Sequence, residues 1–409
     1  MDAAVPGREP LAAGAAPAGP GIQPAVSVFI EKPGHKAIAI FCALLSCAGA
    51  LAWMGAIAHF DYGGNWTAFY RTGSGIRLPP IATQENVYLL QGAGSGGYDG
   101  QYYRLIAQDP LIRHGTARFI DAPRLRYRRI LVPALAWVSA LGNPKRATYT
   151  YIAIVIVFLG LGTYWLSSYA ARVRLSPWWG LAFLLAPAAF LSIDRLTVDI
   201  ALAALTVAFA LYWQDGPVWK LYLVLLFAPL AKETGIFYLA AYCLYVVFQR
   251  RAVHGLCMAT AGIPAVVWFL YVQFHTANYG TAWIELPFQA VLQAMFHPEL
   301  YASRKRFVVP LDYLAWFGMI LAIAMALRYW KNNNPLTQAA VFFAALAATI
   351  DLNVWQEVEG FGRAFTPLLI LLPMVRSNRL SLLPLLLMLP RAVVFPVSET
   401  FSAFLYWIG

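Results

Sequence analysis

Apolar blocks of roughly 15 to 22 residues recur along the whole chain, and a block of that length is what a helix needs to cross the hydrocarbon core of a bilayer. They run from Ala37 to Ala58, Thr148 to Tyr169, Trp178 to Ile193, Leu196 to Trp213, Val218 to Ala231, Gly235 to Phe248 and Val253 to Phe274. Leu311 to Arg328, Leu336 to Leu352, Phe361 to Val375 and Leu380 to Val397 complete the series. Charged residues make up 12% of the 409, about half the share found in a soluble domain, which leaves too little polar surface for a water-soluble fold. The sequence therefore predicts an all-α integral membrane protein, a bundle of about eleven transmembrane helices.

Charge sets the orientation, because short cytoplasmic loops collect Lys and Arg. One set of alternate turns carries Lys32 and Lys36, Arg172 and Arg174, Lys220, Arg250 and Arg251, Arg328 and Lys331, and Arg376 and Arg379. The opposite set carries Asp194, Asp199, Glu233, Asp351, Glu357 and Glu359. The alternation holds only if Ile130 to Leu141 does not cross. As a helix of about 12 residues it reaches roughly 18 Å against a core of about 30 Å, and Gly142-Asn143-Pro144 ends it. Segments 59–147 and 275–310 then become outward loops, and residues 1–36, rich in Ala, Pro and Gly, a disordered cytoplasmic tail. The net charge of +11 lies in short clusters between apolar blocks, so no nucleic-acid partner is expected. Cys42, Cys47, Cys243 and Cys257 fall inside apolar blocks with neither disulfide nor zinc spacing.

The first outward loop holds Gly92-x-Gly94-x-x-Gly97, a run that matches a dinucleotide-binding fingerprint. A nucleotide fold needs repeated βαβ units, for which this loop is too short. The glycines fit better as a tight descent to the membrane. There Tyr98, Tyr102, Leu105 and Ile106 share one face at helical spacing, Asp109-Pro110 stops the helix and Asp99 stands at its head, which describes an interfacial helix. Asp99 is then either an N-cap or, ringed by Tyr98, Tyr102 and Tyr103, a general base for an acceptor hydroxyl attacking an activated sugar. Asp61, just past the first span, is the alternative base.

At these residues the sequence resembles the GT-C superfamily of membrane glycosyltransferases, which use lipid-phosphate-linked sugars. Tyr98-Asp99-Gly100-Gln101-Tyr102-Tyr103 followed by Tyr127-Arg128-Arg129-Ile130-Leu131-Val132-Pro133 is similar to the paired motif of its bacterial cell-surface glycopolymer formation branch, and more distantly to motifs of GPI-anchor mannosyltransferases. The resemblance continues through Asp194-Arg195-Leu196-Thr197-Val198-Asp199 and Lys232-Glu233-Thr234, covering about residues 60 to 250, with Gly362-Arg363 beyond. That branch more often has Arg where this chain has Lys232, and Glu where it has Asp199. It implies a helical bundle whose first outward loop carries juxtamembrane helices and an essential acid.

Other charged residues extend the site. Arg195 and Asp199 stand four apart, the spacing of a helical ion pair. Asp194, Asp199 and Glu233 could instead orient the acceptor or hold a divalent metal, the single cofactor considered, while Arg195 and Lys232 meet a donor phosphate. Arg304, Lys305 and Arg306 lie on the outward side against the positive-inside tendency, which marks Arg304 and Arg306, with Arg363, as further phosphate ligands. The expected activity is that of a glycosyltransferase, a hexosyltransferase of mannosyltransferase-like type in a bacterial inner membrane. It would move a sugar from a polyprenyl-phosphate donor to a cell-surface glycan or glycolipid acceptor on the extracytoplasmic side, with membrane lipids around it. A transporter or flippase of lipid-linked sugars, which paired broken helices would favour, and a non-catalytic scaffold are the alternatives.

Overall fold

A computed structural model describes residues 33–83, 85–90, 96–278, 284–297, 309–375 and 379–394. The tail lies outside the described residues as far as 32, and α1 (Pro33–Tyr62) starts ahead of its apolar block. Short elements follow. A 3₁₀ turn spans Trp66–Tyr70, and Thr72–Gly73 pairs in parallel with Leu89–Leu90. Then come α2 (Asp99–Gln108), α3 (Pro123–Arg128) and α4 (Leu131–Ser139). At nine residues α4 reaches only about 14 Å, short of the roughly 30 Å that a bilayer core requires of a helix. The turn that reverses the chain is built as its residues dictate. Leu141 and Gly142 take left-handed backbone, the Asn143 side chain accepts from Arg146 N, and Pro144 fills the first turn of α5 (Pro144–Arg172), where no amide donor is needed.

A 3₁₀ stretch at Pro177–Leu185 bends by 58° into α6 (Pro187–Arg195). α7 (Asp199–Asp215), α8 (Val218–Ala231), α9 (Ile236–Phe248), α10 (Ala252–His275), α11 (Val309–Arg328) and α12 (Pro335–Thr349) follow. α13 (Val358–Ala364) bends by 48° into α14 (Thr366–Val375), and residues 383–394 form α15. The molecule is an all-α, multi-pass membrane protein. Four described helices, α1, α5, α10 and α11, are long and apolar enough to cross a bilayer, and each bent pair adds one more if it counts as a span. Large apolar side chains remain exposed on α1 (Phe41, Leu44, Leu45) and α10 (Val266, Val267, Phe274), as lipid-facing surfaces require. α7 is apolar all round, and its side chains from Ile200 to Ala210 are buried, which makes it the bundle's axis.

Two expectations are corrected. The spacing of Tyr98, Tyr102, Leu105 and Ile106 predicts a single apolar face on α2. Instead Gln101, Tyr103, Arg104, Leu105, Ile106 and Gln108 are all buried, because α2 packs on α4 and α5 within the protein. Arg195 and Asp199 do not form a helical pair. Leu196 adopts left-handed backbone (φ 47°) and ends α6, and α7 begins afresh at Asp199, so helical spacing does not apply across the break.

Candidate active site

Glycine brings the segment around α2 against the bundle. Gly97 has φ 72°, and a Cβ there would lie 2.5 Å from Gly73 N. At Gly100 a Cβ would lie 2.3 Å from the carbonyl oxygen of Arg195, so the first turn of α2 rests directly on the end of α6. Tyr98 N donates to Arg71 O at 2.9 Å and fixes the entry. The glycines here serve close packing, and Gly92 and Gly94 lie outside the described residues.

Asp99 is the first residue of α2. Its carboxylate is not spent on capping: Oδ1 meets Arg126 Nη1 at 3.0 Å and Oδ2 meets Arg363 Nη2 at 2.5 Å. Burial alone would raise its pKa, but the Arg126 and Arg363 guanidiniums hold the carboxyl well below the usual range. Its side chain keeps 18% exposure, against 3% for Asp199. Tyr98 lies under both Arg195 (4.5 Å to the ring) and Arg363 (5.1 Å). Burial pushes its phenol up to about 12, despite the guanidiniums, so it remains a hydroxyl donor.

The break points in the chain deliver the other charges. Lys232, between α8 and α9, donates to Asp199 Oδ1 at 2.6 Å, and Arg363 Nη1 lies 3.5 Å from Asp199 Oδ2. Arg129 forks onto Glu233 at 2.8 and 2.6 Å and donates to the Tyr103 hydroxyl at 3.1 Å. Asp194 lies between Arg195 Nε at 3.2 Å and Arg71 Nη2 at 3.5 Å. Arg126 also forks onto Asp121, through Nε and, at 2.7 Å, Nη2. Among the described residues, six cations (Arg71, Arg126, Arg129, Arg195, Lys232, Arg363) thus meet five carboxylates (Asp99, Asp121, Asp194, Asp199, Glu233).

Asp99, Asp194, Arg195, Asp199, Lys232, Glu233 and Arg363 therefore come together as a group. Asp61 sits at the end of α1 within electrostatic reach of Arg71 and forms no ion pair among the described residues. Arg304 and Arg306 lie outside the described residues. Sequence reasoning missed Arg71, Asp121, Arg126 and Arg129 as site residues. The signal for two of them, Arg126 and Arg129, was the basic run Arg124 to Arg129 in a segment expected to face outward, as unexpected there as Arg304 to Arg306. The donor set does not suit a divalent metal. No three His, Cys, Asp or Glu side chains converge among the described residues, and the Asp194 and Asp199 carboxylates are held by Arg and Lys. No family model, curated protein or solved structure matches the chain.

Proposed function

We propose that the protein is a membrane glycosyltransferase that moves a sugar from a polyprenyl-phosphate donor to a hydroxyl of a cell-surface glycan or glycolipid. The reading rests on one observation above the others: a partly open carboxylate, Asp99, is shared by two guanidiniums, Arg126 and Arg363, within a cluster of six cations and five carboxylates. Direct displacement needs one base rather than a carboxylate pair. The acceptor oxygen bonds to the anomeric carbon as its proton passes to Asp99. The anomeric C–O bond breaks, and the electron pair leaves on a prenyl phosphate held by Arg126 and Arg363. The finer topology belongs to the same proposal: eleven crossings in a bacterial inner membrane, with the cluster facing out. Reporter fusions at Arg250 and at Asn278 should then report opposite sides. Both on one side would overturn the outward site.

A second reading has an observation of its own. Two broken helix pairs, bent by 58° and 48°, deliver Asp194 with Arg195 and Arg363 respectively, and discontinuous helices around a charged centre are also how transporters build substrate sites. Proteoliposomes with donor on one face and acceptor on the other distinguish the two. Transfer of labelled sugar to acceptor supports the enzyme, whereas donor crossing the bilayer without transfer supports the flippase.

A further inference from the structure

Each guanidinium on Asp99 is held from behind by a second carboxylate. Arg126 gives Asp99 only Nη1, while Nε and Nη2 fork onto Asp121, a residue 47% exposed at the rim. Arg363 gives Asp99 Nη2 while Nη1 lies 3.5 Å from Asp199. That Nη1 is buried and makes no hydrogen bond, so Asp199 holds it by charge alone. The arrangement has a physical consequence. A guanidinium that hands its Asp99 side to another anion is not left as an uncompensated buried charge, the costly outcome of breaking a buried pair, because Asp121 or Asp199 still holds it.

We propose that Arg126 and Arg363 form a latch on Asp99 that the donor's own phosphate opens, and that Asp121 is the positioning residue that keeps Arg126 aimed at it. This deepens the transfer reading and rests on it. In the resting site the two guanidiniums occupy the carboxylate and keep it a poor base. A phosphodiester oxygen entering between them takes Arg126 Nη1 and Arg363 Nη2. The carboxylate then faces one new negative charge and two fewer hydrogen-bond donors, both of which raise its affinity for a proton. The other groups around it are Arg129 at the end of α3, Arg195 at the end of α6, Asp199 on α7, and Tyr98, Tyr102 and Tyr103 at the head of α2. None of them needs to move. The base is thereby withheld until a donor is present.

The test uses a farnesyl methyl phosphodiester, which carries one charge and does not itself titrate near neutrality. Full-length detergent-solubilised protein is titrated calorimetrically at about pH 5, near the upper edge of ordinary carboxylate titration, in two buffers of different ionisation enthalpy. Wild type should take up protons on binding. Asp99→Asn should bind about three- to ten-fold more tightly, with one competitor for the arginines removed, and take up none. Asp121→Asn, at an exposed position that leaves the fold intact, should weaken binding about two- to five-fold while uptake persists. Binding without uptake, or weaker binding by Asp99→Asn, overturns the latch and leaves the phosphate site standing. Tighter binding by Asp121→Asn overturns its positioning role. No binding by any variant removes the anion site, and with it both the transfer reading and the latch.

Discussion

Two ion clusters in this bundle have opposite stoichiometry. At Asp99 two guanidiniums share one carboxylate, whereas at Arg391 two carboxylates, Asp312 at 2.8 Å and Glu359 at 3.1 Å, share one guanidinium. The first is partly open, with the carboxylate 18% exposed. The second is sealed, with Asp312 at 0% and Glu359 at 5%. Glu359 and Arg363 lie one turn apart on α13, so the same short helix serves both. The difference separates a cluster that fastens helices from one that can exchange partners. Arg391 links α15 to α11 and α13 through buried partners, whereas Asp99 stays partly exposed beside two guanidiniums.

The largest way to break that contrast is to remove the sealed cation. Arg391→Met removes the guanidinium that Asp312 and Glu359 share, and breaking a buried pair by removing one partner costs about 3–5 kcal/mol. Size-exclusion recovery after mild heating should collapse. Retention of wild-type stability would show that the cluster is dispensable. Gly100→Ala comes next. Its new Cβ would meet the Arg195 carbonyl at 2.3 Å, so α2 must move off α6, at a cost of about 1–3 kcal/mol. Transfer should be impaired more than melting temperature, because the shift displaces Asp99 itself. Arg363→Gln, at a partly exposed position where Arg126 and Lys232 still hold the two carboxylates, should lower thermal stability less than Arg391→Met does and raise the apparent KM for donor about ten-fold, the loss of one charge-assisted hydrogen bond.

The smallest effect concerns pH. The Asp99 pKa is depressed in the folded protein, so its ionic contribution is fully present above the unfolded value near 4 and is lost only as pH falls through the folded value. The stability difference between wild type and Asp99→Asn should therefore stay flat from about pH 5 to 8 and narrow only in stronger acid. A slope across neutrality, measured by melting in detergent, would mean that Asp99 is not held by its two arginines.

Much of this was legible in the sequence for local reasons. The position of Asp99 at a helix head, the shortness of Ile130 to Leu141 and the turn at Gly142 to Pro144 follow from adjacent residues. Alternating charge also identified the chain reversals whose acids and bases converge at one end of the bundle. Pairing was not legible. Arg195 and Asp199 read as a helical pair because nothing local announces that Leu196 turns left-handed. The true partners, Asp199 with Lys232 and Arg129 with Glu233, are 33 and 104 residues apart. The burial of α2 was hidden for the same reason: its Arg104 and Gln108 look like a solvated face until Glu85 and Thr148 are brought to them from elsewhere in the chain.

Whether Asp99 is the base is read directly from sugar transfer by purified, reconstituted protein carrying Asp99→Asn beside a matched Asp61→Asn. General-base catalysis contributes roughly 10²- to 10⁴-fold, so Asp99→Asn should lose turnover by that range while still binding the phosphodiester, and Asp61→Asn should stay close to wild type. Near wild-type turnover by folded, ligand-binding Asp99→Asn, or an equal loss at Asp61→Asn alone, would contradict the account.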